Sequence, residues 1–293
     1  MEPTLLLVIV AVCMLVECVL FALPTRPALR LPVQRVPDVG KTLHVTHVNK
    51  TSVPPKVWAM WQTFAPEYTV MFYDDAAARQ MVQQYDQHQR AMGRVLAAYD
   101  RLVGAHRADL FRYCVLHERG GVYTDVKTRL LCALDEWIDP KRITSILSYH
   151  AKTVHQGVIA APPHEPMFLH LVQEICAYVE NASKIQRGPT VAVIPHLLFT
   201  SQFYEAVLHD LGETHARVPI GESTGHDASY CFLQEHCTPL QGERTSSEHA
   251  AFLETCICDD GRDRYGRCCV AKNKTGKAIL QIRWADFPWK TQT

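Results

Sequence analysis

Residues 107–134, RADLFRYCVLHERGGVYTDVKTRLLCAL, constrain the fold more tightly than any other stretch of the chain. The pattern predicts a helix over residues 108–118. Gly120-Gly121 stops it, because glycine readily takes the positive-φ conformation that ends a helix. Residues 122–126 are short and β-branched, as a buried strand should be. A helix that passes directly into a buried strand is the building block of a layered α/β domain.

The same alternation runs through the flanking sequence. Residues 56–61 and 69–73 read as a first and a second buried strand. Asp74-Asp75 ends the second and can cap the helix that follows. Met92, Val95, Leu96, Tyr99, Leu102 and Val103 recur at three- and four-residue spacing, which predicts an amphipathic helix. Alternation continues through residues 143–147, 157–160, 167–179 and 191–200. An α/β sandwich around a mainly parallel sheet is therefore expected. The last 60 or so residues differ: they are Cys-rich and end in a strand-like run at 279–284. Hydrophobic residues make up 47% of the 293, enough for a substantial core. The 30 basic and 30 acidic residues cancel without a Lys/Arg block, so a nucleic-acid partner has no electrostatic support.

Residues 4–23, TLLLVIVAVCMLVECVLFAL, carry one charge, Glu17. Twenty helical residues rise about 30 Å, the hydrocarbon thickness of a bilayer. A membrane anchor over 1–23 is expected, with a cleaved signal peptide as its rival. Residues 24–52, with Pro24, Pro27, Pro32 and Pro37, read as a stem. The main folded domain is expected over 53–225 and a Cys-rich extension over 226–293. Arg26, Arg30 and Arg35 follow the apolar segment, and by the positive-inside rule alone that flank would stay cytosolic. Two features point the other way. Sequons begin at Asn49, Asn181 and Asn273. Six of the 11 cysteines, at 231, 237, 256, 258, 268 and 269, crowd into the C-terminal third. C-x-C and C-C pairs fit zinc knuckles poorly and suit disulfides in an oxidising compartment. The expectation is a single-pass Golgi or ER protein with a luminal C-terminal domain.

Chemistry-bearing residues concentrate in the helix–strand unit. Asp109 and Arg112 are three apart and share one helix face. Tyr123, Asp125 and Lys127 alternate along a strand, with Asp125 at its C-terminal end, where ligands bind in open α/β sheets. Carboxylates accept hydrogen bonds from sugar hydroxyls; Arg and Lys neutralise phosphates. Trp61 offers an aromatic face that suits a flat ring. His150, His155, His164 and His170 lie within a short window but lack the H-E-x-x-H spacing of a zinc hydrolase.

The ordered motifs Arg107-Ala108-Asp109, Arg112-Tyr113 and Gly120-Gly121-Val122-Tyr123-Thr124-Asp125 resemble the glycosyltransferases with a DXD sugar-binding region. That family includes yeast initiating α-1,6-mannosyltransferases and capsular polysaccharide synthesis proteins. Further likenesses flank the core motif: Val53-Pro54-Pro55-Lys56-Val57-Trp58 with Trp61, Phe72-Tyr73-Asp74-Asp75, and Gln156-Gly157 through Pro163 as a sugar-facing loop. The resemblance implies a nucleotide-diphospho-sugar transferase fold of the GT-A-like, Rossmann-type kind. It implies a retaining hexosyl transfer from a nucleotide-sugar donor to a glycan on a protein, lipid or polysaccharide. Asp125, Asp109 and Arg112 become the catalytic candidates. Trp61, Asp109, Arg112, Tyr123, Asp125, Lys127, Gln156 and Gly157 become the donor-binding ones. Asp125 is the candidate ligand for Mn2+ or Mg2+. The second acid of DXD is here Lys127, which leaves three readings open. Lys127 neutralises the diphosphate itself; a metal is held by Asp125, the phosphates and a distant side chain; or the protein is a catalytically inactive nucleotide-sugar or glycan binder of the same fold.

Overall fold

The computed structural model describes residues 37–148, 152–185, 194, 198–212, 215–237, 269–272 and 277–281. The apolar segment 4–23, most of the proline-rich stretch, Cys256, Cys258, Cys268 and Asn273 lie outside them. Among the described residues no helix is long and apolar enough to cross a membrane.

The first strand, β1 (Thr42–Thr46), lies between β2 (Thr69–Tyr73) and β3 (Gly121–Thr124), parallel to both. The fold therefore starts ahead of Val53, inside the stretch expected to be stem. Helix α1 (Pro55–Phe64) connects β1 to β2. Helices α2 (Asp75–His88), α3 (Arg94–Arg101) and α4 (Ala105–Arg119) lead from β2 to β3. Then come β4 (Arg129–Leu130), β5 (Ile143–Leu147), β6 (Val154–Ala161), α5 (Pro166–Ile185) and α6 (Leu198–Leu211). The described C-terminal strands are β7 (Gly221–Thr224), β8 (Ser229–Cys237), β9 (Cys269–Lys272) and β10 (Ala278–Gln281).

These strands form one sheet in the order β2-β1-β3-β6-β5-β8-β9-β10-β4, with β7 on β8. Only β1/β2, β1/β3 and β5/β8 pair in parallel among the described strands; the other pairings are antiparallel. The expected mainly parallel sheet is thus a mixed one. A boundary at 225/226 would fall in the turn of the β7–β8 hairpin, and β8 lies beside β5 inside the sheet. The described part of the Cys-rich region is consequently integral to the domain. Cys231 is a buried side chain there, and Cys237 and Cys269 are register partners on β8 and β9.

The sheet separates two hydrophobic clusters. One packs against α2 to α6 and holds Tyr73, Phe111, Tyr123, Ile159 and Phe168. The other packs against α1 and holds Leu43, Val45, Trp61, Val122 and Val158. Alternation along β3 and β6 sends neighbouring side chains to opposite clusters, as a pleated strand requires. Residues 56–61, expected as a strand, are helical. Pro55 occupies the first turn, where a missing N–H is harmless, and Val57, Met60 and Trp61 share the buried face at helical spacing.

Two helix starts are set by carboxylates. Asp74 caps α2 by accepting from Ala77 N at 2.8 Å. Asp86, buried near the end of α2, accepts from Gly93 N and Val95 N, both at 2.6 Å, and so caps α3. The helix expected from Met92 therefore starts at Arg94, behind Gly93 at φ 85°, and Met92 is 99% exposed.

Helix α4 is buried along eight consecutive residues, Leu110–His117, between the sheet and α5. Its end is abrupt. Gly120 (φ 62°, ψ −160°) and Gly121 (φ 93°) turn the chain straight into β3. A Cβ on Gly121 would lie 2.7 Å from Thr42 O, and one on Gly120 would lie 2.5 Å from Pro163 N. Gly121→Ala combines a positive-φ penalty with a backbone clash, and we expect it to lower unfolding free energy by about 2–4 kcal/mol in chemical denaturation.

Candidate active site

Helix α4 and strand β3 run in opposite directions from the double-glycine turn, so their residues can be matched by rise. Asp109 precedes Gly120 by eleven residues, about 16 Å of helix at 1.5 Å each. Asp125 follows Gly120 by five residues, about 16 Å of strand at 3.3 Å each. The two carboxylates thus return to the same level, at the C-terminal end of β3. Arg112 and Tyr123 are matched lower down by the same reckoning.

The side chains complete this juxtaposition. Arg112 Nη2 lies 3.1 Å from Asp109 Oδ1 and 3.6 Å from Asp125 Oδ1. Its Nη1 donates to the Gln156 carbonyl and its Nε to Ala108 O at 3.2 Å. The guanidinium carbon stands 4.6 Å from the Tyr123 ring centre. Tyr123 Oη donates to Asp125 Oδ1 at 2.9 Å, and Lys127 Nζ lies 3.2 Å from Asp125 Oδ2. His106 Nδ1 reaches Asp109 Oδ2 at 3.3 Å. Asp125 opens a β-turn closed by Thr128 N→Asp125 O at 2.9 Å. Strand β6 fixes that turn: Gly157 O accepts from Asp125 N at 2.8 Å and from Thr128 Oγ1 at 3.1 Å.

Accessibility sorts these residues into two tiers. Asp109, Asp125 and Lys127 present 13%, 16% and 33% of their side chains to solvent. Arg112, Tyr123 and Gln156 are buried behind them. Arg112 therefore braces the two carboxylates from beneath. Tyr123 supports Asp125 through its hydroxyl. Gln156 and Gly157, expected in a loop, belong to β6 and act through backbone carbonyls. Trp61 lies apart from this group. It is wholly buried beside Val45, Val122 and Val126 in the α1-side cluster, so it offers no exposed face for a base to stack on.

Electrostatics follow from the packing. Burial opposes the charge on Asp125, but Lys127, Arg112 and the Tyr123 hydroxyl outweigh it and hold the carboxyl at about 2. Burial likewise opposes the charge on Arg112, and Tyr123, Asp109 and Asp125 overcome it and push the guanidinium pKa up. Burial pushes Tyr123 well up, so its phenol stays protonated and donating. His155, on β6, is pulled down, first by burial and then by Lys127 and Arg112, against the pull of Glu235 and Asp125. Its Nδ1 accepts from Gly157 N at 2.7 Å, which places the ring proton on Nε2.

Glu235 is a residue that sequence reasoning missed. It is buried on β8, accepts from Ser148 Oγ at 3.0 Å and acts electrostatically on His155. A carboxylate that follows the apolar run at residues 230–233 on the same strand was the available signal.

A divalent metal fits this donor set poorly. Mg2+ and Mn2+ need several oxygen ligands. Asp125 directs one oxygen at Tyr123 and Arg112 and the other at Lys127. A cation on Oδ2 would face the ammonium, at roughly 4 kcal/mol for each unit of metal charge near 4 Å. Among the described residues no group of three or more His, Cys, Asp or Glu side chains could hold a metal.

Two outcomes are expected. Arg112→Ala strands two part-buried carboxylates, and denaturation should register a loss of about 3–5 kcal/mol. Asp125, with its folded pKa near 2, contributes stability that is present above the ordinary carboxylate pKa and lost as pH falls through about 2. Its share is about 2 kcal/mol at 1.36 kcal/mol per pH unit. Asp125→Asn should therefore flatten the fall of stability between about pH 4 and pH 2.

The sequence around this cluster is similar to known proteins. The family model for the glycosyltransferase sugar-binding region containing DXD motif matches residues 55–144. The initiation-specific alpha-1,6-mannosyltransferase of Schizosaccharomyces pombe is 28% identical over 140 residues, 41% of this chain and 35% of that protein. The chain thus spans about a third of the length of that relative. The PaToxG glycosyltransferase structure aligns with 61% of this chain and 73% of its own, at 17% identity and a TM-score of 0.43, too low to fix a shared topology. Through residues 55–144, this chain is similar to the glycosyltransferases that carry a DXD-type sugar-binding region.

Proposed function

We propose that this protein is a retaining glycosyltransferase of GT-A-like fold that moves a hexose from a nucleotide sugar to a glycan acceptor. The single observation that carries the reading is the Asp109–Arg112–Asp125 bridge, in which one buried guanidinium holds two part-exposed carboxylates within 3.1 and 3.6 Å. Carboxylates fixed in this way suit the recognition of sugar hydroxyls, because their acceptor oxygens are oriented before the ligand arrives. The family match over the same residues supports the assignment.

Roles follow from accessibility. Asp109 and Asp125 accept from hydroxyls of the donor. Lys127, at the exposed end of the cluster, faces the diphosphate as the anomeric bond breaks and negative charge builds on the leaving group. Arg112, Tyr123, Gln156 and Gly157 keep these groups in register. Neutral His155 carries its proton on Nε2 and can donate to an acceptor or donor hydroxyl. The acceptor is a glycan on a protein, a lipid or a polysaccharide. Residues 4–23 anchor the chain, and the domain works in the ER or Golgi lumen; the apolar length and the three sequons support this placement. Asn49 lies in an exposed turn that could accept a glycan.

Replacement of the second DXD acid by Lys127 favours one rival, a catalytically silent nucleotide-sugar binder of the same fold. A hydrolysis and transfer assay over a panel of nucleotide sugars separates the two. Release of free sugar that falls at least about 100-fold in Asp125→Ala is the expected result. Donor binding without turnover, across all donors and metals, would replace catalysis with binding.

A further inference from the structure

We infer that the site receives its diphosphate without a metal, by an exchange of ion-pair partners in which Lys127 leaves Asp125 for the phosphate oxygens. The inference rests on the nucleotide-sugar reading above and adds how that site handles charge. Four charged side chains make up the cluster: carboxylates at Asp109 and Asp125, cations at Arg112 and Lys127. They cancel. Arg112 cannot supply charge to a ligand, because its guanidinium is buried and engaged by Asp109, Asp125, Ala108 O and Gln156 O. Lys127 is different. Its side chain is one-third exposed, and it pairs with Asp125 Oδ2 at 3.2 Å from the third position of a β-turn that β6 anchors through Gly157 O. A lysine ammonium swings on a four-carbon stem, so it can change partners while the turn stays fixed.

The exchange satisfies both ends. When a diphosphate arrives, the ammonium finds an anion of higher charge and moves to it. Asp125 Oδ2, released from the ammonium, is free to accept from a sugar hydroxyl, while Oδ1 stays held by Tyr123 and Arg112. Phosphate binding and hydroxyl recognition are thus coupled through one ion pair. Without the ligand, the pair keeps both groups neutralised. No position in the cluster is left for a dication, since the acid that would share it is Lys127 itself.

Isothermal titration of the protein with uridine and guanosine diphosphate, and with the two matching nucleosides, tests this in EDTA and again in Mn2+. At least one diphosphate is expected to bind in EDTA, with affinity changed by less than about threefold on adding Mn2+. Lys127→Met should weaken that diphosphate by at least about tenfold and the matching nucleoside hardly at all. Lys127→Arg should keep most of the affinity, and Lys127→Asp should bind only with Mn2+. Thermal melts of each variant confirm folding. Binding that requires Mn2+ in the native protein, or an equal loss for nucleoside and diphosphate in Lys127→Met, overturns the exchange and leaves the nucleotide-sugar reading standing. Failure of both diphosphates under both conditions overturns that reading and the exchange with it.

Discussion

The site exists because a helix and a strand are forced back along one another with no loop between them. Gly120 and Gly121 both adopt positive φ, with backbone from β1 and from the end of β6 pressed against the places where Cβ atoms would be. A longer connection would let α4 and β3 slide, and the equal rise that aligns Asp109 with Asp125 would be lost. The reversal therefore sets the level at which the two carboxylates meet. The all-round burial of α4 then prevents the helix from rotating Asp109 out of the cluster.

Arg112 converts that alignment into an electrostatic unit. A buried guanidinium alone would be prohibitive, and two neighbouring carboxylates would repel. Together they are mutually required, and the planar fork of arginine can serve two acceptors on different elements while Tyr123 covers its face. A lysine at this position could not make the same four engagements. Such buried pairs add little net stability against an apolar alternative. Their consequence is geometric: the carboxylate oxygens are oriented before any ligand binds. Strand β6 supplies the remaining rigidity through carbonyls, which accept from both the guanidinium and the Asp125 turn. Its antiparallel insertion between β3 and β5 is one of the pairings that make the sheet mixed.

Much of this was legible because the helix–turn–strand unit is local. Asp109, Arg112, Tyr123 and Asp125 could be assigned to faces from spacing alone, and the glycine pair marked the reversal. Elements that depend on distant partners were harder to read. The run VWAMW suits a strand as a short apolar stretch, and only Pro55 at the first turn favours the helix. Strand β1 sits in a segment flanked by prolines, and its His44 looks polar until Tyr73 Oη at 3.2 Å and Gly120 O at 3.0 Å are seen to receive it. Trp61 has an aromatic face suited to stacking, but helix α1 buries that face completely, which its local sequence does not reveal. Glu235 reaches the neighbourhood of His155 only through the β5–β8 pairing, which links residues nearly ninety apart. Nothing in local spacing encodes such a contact.

The charge balance of the cluster explains why one lysine alters the site more than its size suggests. In a D-x-D arrangement two acids create a local excess of negative charge, and an anionic diphosphate can approach only with a dication to bridge them. With Lys127 in the third position, the excess is already cancelled by a group that belongs to the chain. The potential at the mouth is then set by whichever partner the ammonium holds. An ion pair on the protein can be broken without leaving a bare charge only if an incoming group replaces it at once, because an uncompensated charge in a poorly hydrated cleft is strongly disfavoured. In the proposed exchange, the same property that makes the cluster neutral at rest makes it selective for ligands that carry an anion and a hydroxyl at the right separation: the anion takes the ammonium, and the hydroxyl takes the carboxylate oxygen that the ammonium has left.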